Sequence, residues 1–159
     1  MATVKSSSEH GQAIIELALT LPLLLLVVLG VFDFGLMFQR FEVVTNAARE
    51  GARLGVLTGQ YTTAQAEQRA RDYLAAGGVT GTSRSAPCTS GVTAGSICVS
   101  VVINKDVPIT GTSPAVTVDE VVSTVEYDHS FTFVGPLMSL FGGSLGTTPL
   151  RAVSRMRVE

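Results

Sequence analysis

The apolar run that begins at Ala13 constrains this chain more than any other feature. Ala13-Ile14-Ile15-Glu16-Leu17-Ala18-Leu19-Thr20-Leu21-Pro22 leads into Leu23-Leu24-Leu25-Leu26-Val27-Val28-Leu29-Gly30, and apolar character persists to about Phe38. A bilayer span needs about 20 mostly apolar residues, so this stretch is long enough to cross. Glu16, Pro22 and Asp33 interrupt it. An acid inside such a segment is costly in lipid and asks for a reason. Pro22 offers no donor to the carbonyl one turn back, which predicts a kink. Asp33 and Gln39-Arg40 read as the point where the span meets water. Charge alone does not orient the span: Lys5 and the free amine favour one topology, while Arg40, Arg49 and Arg53 oppose it.

A secretory signal peptide is the rival reading. Its apolar core is about 7–15 residues long and is followed by a small-x-small site. Here the run is longer, no such site follows, and the helical pattern does not stop. Phe34, Met37, Phe41, Val44, Ala48, Gly51 or Ala52, and Gly55 recur at three- and four-residue steps, which is one face of a helix. Arg40, Glu42, Arg49, Glu50 and Arg53 fall on other faces. The pattern predicts one helix from about residue 12 to about 57, on the order of 65–70 Å long. Residues 12–38 form its span and 39–57 its stalk. Ala47, Gly51 and Gly55, with Ala48 and Ala52 beside them, would let another backbone approach closely. Two occupants of that groove are open: the chain's own later domain, or another subunit.

Residues 58–159 read as a separate β-rich domain. Thr58-Gly59-Gln60 ends the long helix. Thr63 to Ala76 is a second, shorter helix by propensity, stopped at Gly77-Gly78. A Gly-, Ser- and Thr-rich loop runs through Cys88 to Ser96. The period then changes to two. Strands are expected at Ile97–Asn104 and at Val116–Thr132, with a bulge at Asp119-Glu120 and a break near Asp128. Pro108 and Gly111-Thr112-Ser113-Pro114 mark turns. Gly135 to Phe141 is an apolar turn or short helix. From Leu150 the chain alternates cleanly, with Leu150, Ala152, Ser154, Met156 and Val158 on one face. The expected class is α+β: a long N-terminal transmembrane and stalk helix, a short helix, then a small antiparallel sheet of three or four strands. A sheet that small needs a partner for its apolar face, and the stalk supplies it.

Charged residues make up only 15% of the chain, against about 25% in soluble domains. The net charge is −2 and no basic run occurs, which argues against a nucleic-acid partner. Cys88 and Cys98 are the only cysteines. Beside a membrane anchor, their short spacing points to an exported disulfide, with two unpaired thiols as the alternative. Together with the distant His10 and His129 they lack zinc-ligand spacing, so no metal is expected. A catalytic site is not expected either. His129 sits in no nucleophile context and there is no G-x-S-x-G. Asp119-Glu120 and Glu126 with Asp128 read as a solvated strand edge rather than an acid/base pair. Gly142-Gly143-Ser144-Leu145-Gly146 lacks the lysine and helix of a phosphate loop. No cofactor and no small-molecule substrate follow.

Gly11-Gln12-x-x-x-Glu16 ahead of an apolar helix resembles the type IV prepilin pattern. More closely, Gly11-Gln12-Ala13-x-x-Glu16-x-Ala18-Leu19-x-x-Pro22-Leu23-Leu24, with Ala47-Ala48-Arg49-Glu50-Gly51-Ala52-Arg53 later, resembles the TadE-like minor pilins of tight-adherence (Tad/Flp) pilus systems. Val125-Glu126-Tyr127, Gly135-Pro136-Leu137 and the final arginine-rich strand are weaker points of likeness. The resemblance is strongest over residues 11–57. It implies a type IV pilin-like fold and cleavage between Gly11 and Gln12 by a prepilin peptidase, removing the leader 1–11. It implies a single-pass protein of the bacterial inner membrane, N-terminus cytoplasmic and C-terminal domain periplasmic. It further implies partners among other pilins and Tad inner-membrane assembly proteins, and a role in pilus assembly, adhesion and biofilm. The family's bulk subunits are far shorter, so a domain of this size implies a minor pilin. Glu16 becomes an assembly and register residue, paired with the new amine of a neighbouring subunit. The leader, with one lysine and one acid, is less basic than many in the family. The rival is an uncleaved, single-pass anchored binding or scaffold module.

Overall fold

The computed structural model describes residues 8–57, 60–88, 93–111, 116–140 and 142–158. Most of the leader, the Thr58-Gly59 stop, Thr112-Ser113-Pro114 and Phe141 lie outside the described residues. Among the described residues seven elements follow in order: α1 (Ser8–Val56), α2 (Thr63–Ala76), β1 (Thr82–Arg84), β2 (Ser96–Pro108), β3 (Thr117–His129), α3 (Val134–Leu140) and β4 (Thr148–Arg157). The class is α+β, with a long N-terminal helix, a short helix and a four-stranded mixed sheet, pilin-like in plan. The chain forms two compact units. One holds α1 up to Gly35 with Phe131–Leu145. The other runs from Leu36 to Ser130 and resumes at Gly146.

α1 starts at Ser8, four residues before the expected onset, and continues through Pro22. α2 occupies the predicted span. Thr62 caps it: its side chain accepts from the Gln65 amide, while the Gln65 side chain accepts from the Thr62 amide at 2.9 Å. That reciprocal pair satisfies two donors a helix start leaves open.

In the larger unit the strands are ordered β1-β2-β3-β4. The three long strands are antiparallel, as the alternation predicts. β1 joins the edge in parallel, Thr82 to Arg84 opposite Ser96 to Cys98. This three-residue strand falls in the stretch read as loop, because it is too short to show a period. β3 runs unbroken to His129, without the expected break at Asp128. The bulge lies on the facing strand instead: Asp106 adopts φ 56°, and the pairing shifts between Asn104 and Val107. Asp119 accepts from the Asp106 amide at 3.1 Å, so the acid expected at the bulge holds it from across the ladder.

One face of the sheet packs on helices. Ile97, Val99, Val125, Tyr127 and Leu150 form a core with Val44, Ala47 and Ala48 of α1 and Ala70 and Leu74 of α2. A second cluster joins Ala66, Val101 and Val121. Beyond Arg84 the edge of β2 has no β1 residue to pair with, and Glu67 of α2 accepts from the Val101 amide at 3.1 Å. A buried edge donor is thereby satisfied. Cys88 and Cys98 form a disulfide that pins the segment after β1 onto β2.

Candidate membrane anchor and assembly face

In the smaller unit, α1 is long and apolar enough to cross a membrane. Its mean hydropathy reaches 2.6 over 18 residues, none of them buried. Gly11 and Gln12 lie in its exposed opening turns, inside the helix rather than ahead of it. Glu16 is exposed on the same apolar surface, between Ile15 and Leu17, which are 64% and 59% exposed. Among the described residues no ion pair involves Glu16. The Thr20 hydroxyl donates to the Glu16 backbone carbonyl at 2.9 Å. Pro22 is exposed and lines an apolar groove of about 430 Å³ with Leu25, Leu26, Leu29 and Leu137.

Asp33 departs from its expected role. It is fully buried, not a marker of contact with water. Its carboxylate accepts backbone N–H bonds from Thr132 at 3.1 Å, Phe133 at 2.9 Å and Val134 at 2.7 Å. Val134 opens α3, so its amide is one that a helix start leaves open, and the Thr132 and Phe133 amides lie just ahead of it; a carboxylate at a helix N-terminus is well placed electrostatically. Phe34 meets Phe131 edge to face at 6.0 Å beside it.

In the larger unit the inward stripe of α1 runs through half-buried Met37 and Arg40 and then buried Val44, Ala47 and Ala48, Gly51 and Ala52, and Gly55. It departs from the predicted face where Arg40 takes the place of Phe41 and where Ala47 joins the stripe. Phe41 is 44% exposed and Phe38 66%. Arg40 turns inward because its charge is met there: Nη1 lies 2.9 Å from His129 Nδ1 and 3.4 Å from the Tyr127 hydroxyl. The small residues are filled from within the chain. A Cβ on Gly51 would lie 2.7 Å from Ser123 Oγ, and one on Gly55 2.7 Å from Val121 Cγ1. Of the two occupants the sequence leaves open, the chain's own sheet sits in the groove.

Glu126 and Asp128 are buried rather than lying on a solvated strand edge. Arg84 Nη2 bridges them, at 2.7 Å from Glu126 and 3.1 Å from Asp128. The Ser96 hydroxyl also donates to Asp128. Short β1 explains the error: it delivers the cation that makes the burial tolerable. The acids at alternate positions of β3 were visible in the sequence, but their partner was not. Among the described residues no group of three or more His, Cys, Asp or Glu could hold a metal ion.

The predicted residues therefore fall into two sets. Gly11, Gln12, Glu16 and Pro22 lie exposed along the anchor; Ala47, Ala48, Gly51, Ala52 and Gly55 are buried in the larger unit. The residues that sequence reading missed are Asp33, Arg40 and Arg84, each a charge satisfied by a segment distant in the chain.

A family model described as TadE-like protein matches residues 11–53. The match lies wholly within α1 and contains both short motifs, so the likeness to TadE-like proteins is carried by this segment. No curated protein and no solved structure matches the chain.

Proposed function

We propose that the chain is a membrane-anchored minor pilin, or pseudopilin, of a Tad/Flp-type pilus. One observation carries the reading: the TadE-like match begins at Gly11, the residue after which a prepilin peptidase would cut, and follows α1 to Arg53. Cleavage would give Gln12 a new amine. That amine lies too near Glu16 along one helix to pair with it well, but a neighbouring subunit shifted along the axis could present its own. In a low-dielectric setting this ion pair would set register between subunits.

The small-residue groove of α1 is filled from within the chain, so packing between subunits would use the part of α1 left exposed beside it, where Phe38 and Phe41 lie. In this reading the protein sits in the bacterial inner membrane, N-terminus cytoplasmic and larger unit periplasmic. It primes, caps or decorates the pilus, and so serves adhesion and biofilm formation. Its partners are the prepilin peptidase, other pilins and the Tad inner-membrane assembly proteins.

The N-terminal sequence of protein taken from membranes tests the reading. Gln12 as first residue in cells with active prepilin peptidase, and the full leader in cells without it, supports cleavage. Met1 or Ala2 in both favours the uncleaved anchored module instead.

A further inference from the structure

We infer that the β3–β4 connection, residues 131–145, is a second membrane-contacting element, seated at the boundary of headgroups and acyl chains beside α1. The inference rests on α1 spanning a bilayer. Ala13 to Phe32 is 20 residues, or about 30 Å of helix, the thickness of the hydrocarbon core. Counted from Ala13, Asp33 is the first residue past that thickness, so it stands at the far edge of the core with its carboxylate turned to backbone amides rather than to water. The connection is tied to this level by the three amides that Asp33 holds. From there it reaches inward. Leu145 lines a cavity with Leu26, Val27 and Gly30, and Leu137 lines the groove beside Leu25 and Leu29. Leu26 lies seven residues before Asp33, about 10 Å deeper along the axis. That is the depth at which interfacial elements insert.

Three further features fit lipid rather than water. Residues 131–145 contain no charged side chain. Phe133 is 44% exposed, and Leu145, 43% exposed, lines one cavity with Val27 and Val31 of α1, 56% and 69% exposed. Whatever covers the exposed span must also meet the connection. Part of the backbone is provided for as well: beyond the three amides at Asp33, Leu137 donates to the Phe133 carbonyl, Gly142 to Ser139 and Gly143 to Met138, while Pro136 has no N–H. Internal satisfaction of backbone donors is what a lipid setting demands.

The chain has no tryptophan, so each introduced indole reports alone. Full-length Phe133→Trp, Leu145→Trp, Leu23→Trp and Val153→Trp proteins would be reconstituted in phosphatidylethanolamine–phosphatidylglycerol vesicles containing lipids brominated at shallow or deep acyl positions. An intact disulfide by mass and a native far-UV spectrum establish folding. Shallow bromines should remove about half the emission of Phe133→Trp and Leu145→Trp, deep bromines less, as for an interfacial depth. Leu23→Trp, near mid-span, should show the reverse order, and Val153→Trp on the exposed sheet face no quenching. Emission from Phe133→Trp and Leu145→Trp that matches Val153→Trp overturns the inference while the anchor stands. Blue-shifted but unquenched emission means that protein covers the surface, and overturns it too. Loss of quenching at Leu23→Trp sinks the anchor reading and this one with it. Should Leu145→Trp fail to fold, Phe133→Trp alone decides.

Discussion

Arg40 and His129 stand 89 positions apart in sequence, and the guanidinium Nη1 lies 2.9 Å from the imidazole Nδ1. An arginine can only donate, so Nδ1 is the acceptor and the imidazole proton belongs on Nε2. The same guanidinium lies 5.7 Å from the centre of the Tyr127 ring. One charge on α1 thus fixes the final turn of β3. Arg40→Ala should destabilise the larger unit by about 1–3 kcal/mol, because a buried acceptor loses its charged donor. Arg40→Lys should recover only part, since ammonium lacks the planar fork and stacks poorly. Denaturant unfolding of the full chain in detergent, followed by near-UV circular dichroism, measures both.

Gly55 is a second point where α1 and the sheet touch. A methyl there would come within 2.7 Å of Val121 Cγ1 and 3.3 Å of Val101 Cγ1. Alanine improves helix propensity by about 1 kcal/mol, yet overpacking a core costs about 1–3 kcal/mol. Crowding should win, so Gly55→Ala lowers stability. Adding Val121→Ala should return part of the loss, a coupling that a double-mutant cycle isolates. Gly35→Ala, where nothing lies within 4 Å, should lose nothing.

The elements with a strong period are legible in the sequence alone: α1, α2 and the three long strands. What escaped depends on contacts between distant segments. Arg40 and Phe41 occupy neighbouring positions, and hydrophobicity alone would bury the phenylalanine. The structure turns the arginine inward because His129 and Tyr127 offer it partners, a fact no local window contains. Asp33 reads as a boundary acid until Thr132–Val134 arrive to cap on it. β1 is invisible as a strand, so Glu126 and Asp128 looked solvated. Glu16 is the opposite case. It needs no distant segment to be noticed, since an acid in an apolar run stands out locally.

The Arg84 cluster gives a sharper energetic contrast. Its side chain is 18% exposed and bridges Glu126 and Asp128, at 11% and 0%. Removing one member of a buried pair leaves uncompensated charge, at a cost of about 3–5 kcal/mol. Arg84→Ala should therefore be among the most damaging single changes in the sheet. Arg155→Ala, which breaks a 3.6 Å pair from a side chain 65% exposed, should cost under about 1 kcal/mol. Thermal unfolding of the two variants side by side checks the ranking.

The disulfide closes a short loop, with Cys88 and Cys98 separated by ten positions. In the chain-entropy account that closure contributes about 2–3 kcal/mol. The Cys88→Ser/Cys98→Ser double variant should lose stability by that amount and retain its fold. Alkylation under non-reducing conditions, read by mass, should label neither cysteine in folded exported protein. Labelling of both would show that the bridge does not form in cells.

Glu16 separates insertion from assembly. It lies exposed on the apolar part of α1, and a charge there costs insertion energy, about 2.5–3.5 kcal/mol for an acid at mid-span and less near an end. Glu16→Ala should therefore insert at least as well as the parent, judged by carbonate-resistant membrane fractions. If the carboxylate pairs with the amine of a neighbouring subunit, the same variant should lose piliation in sheared-fibre preparations. Glu16→Gln keeps the side-chain shape and removes the charge, so it should fail alongside alanine. Equal piliation in both variants would leave the acid without a pairing role. Loss in alanine but not in glutamine would assign its effect to packing rather than charge.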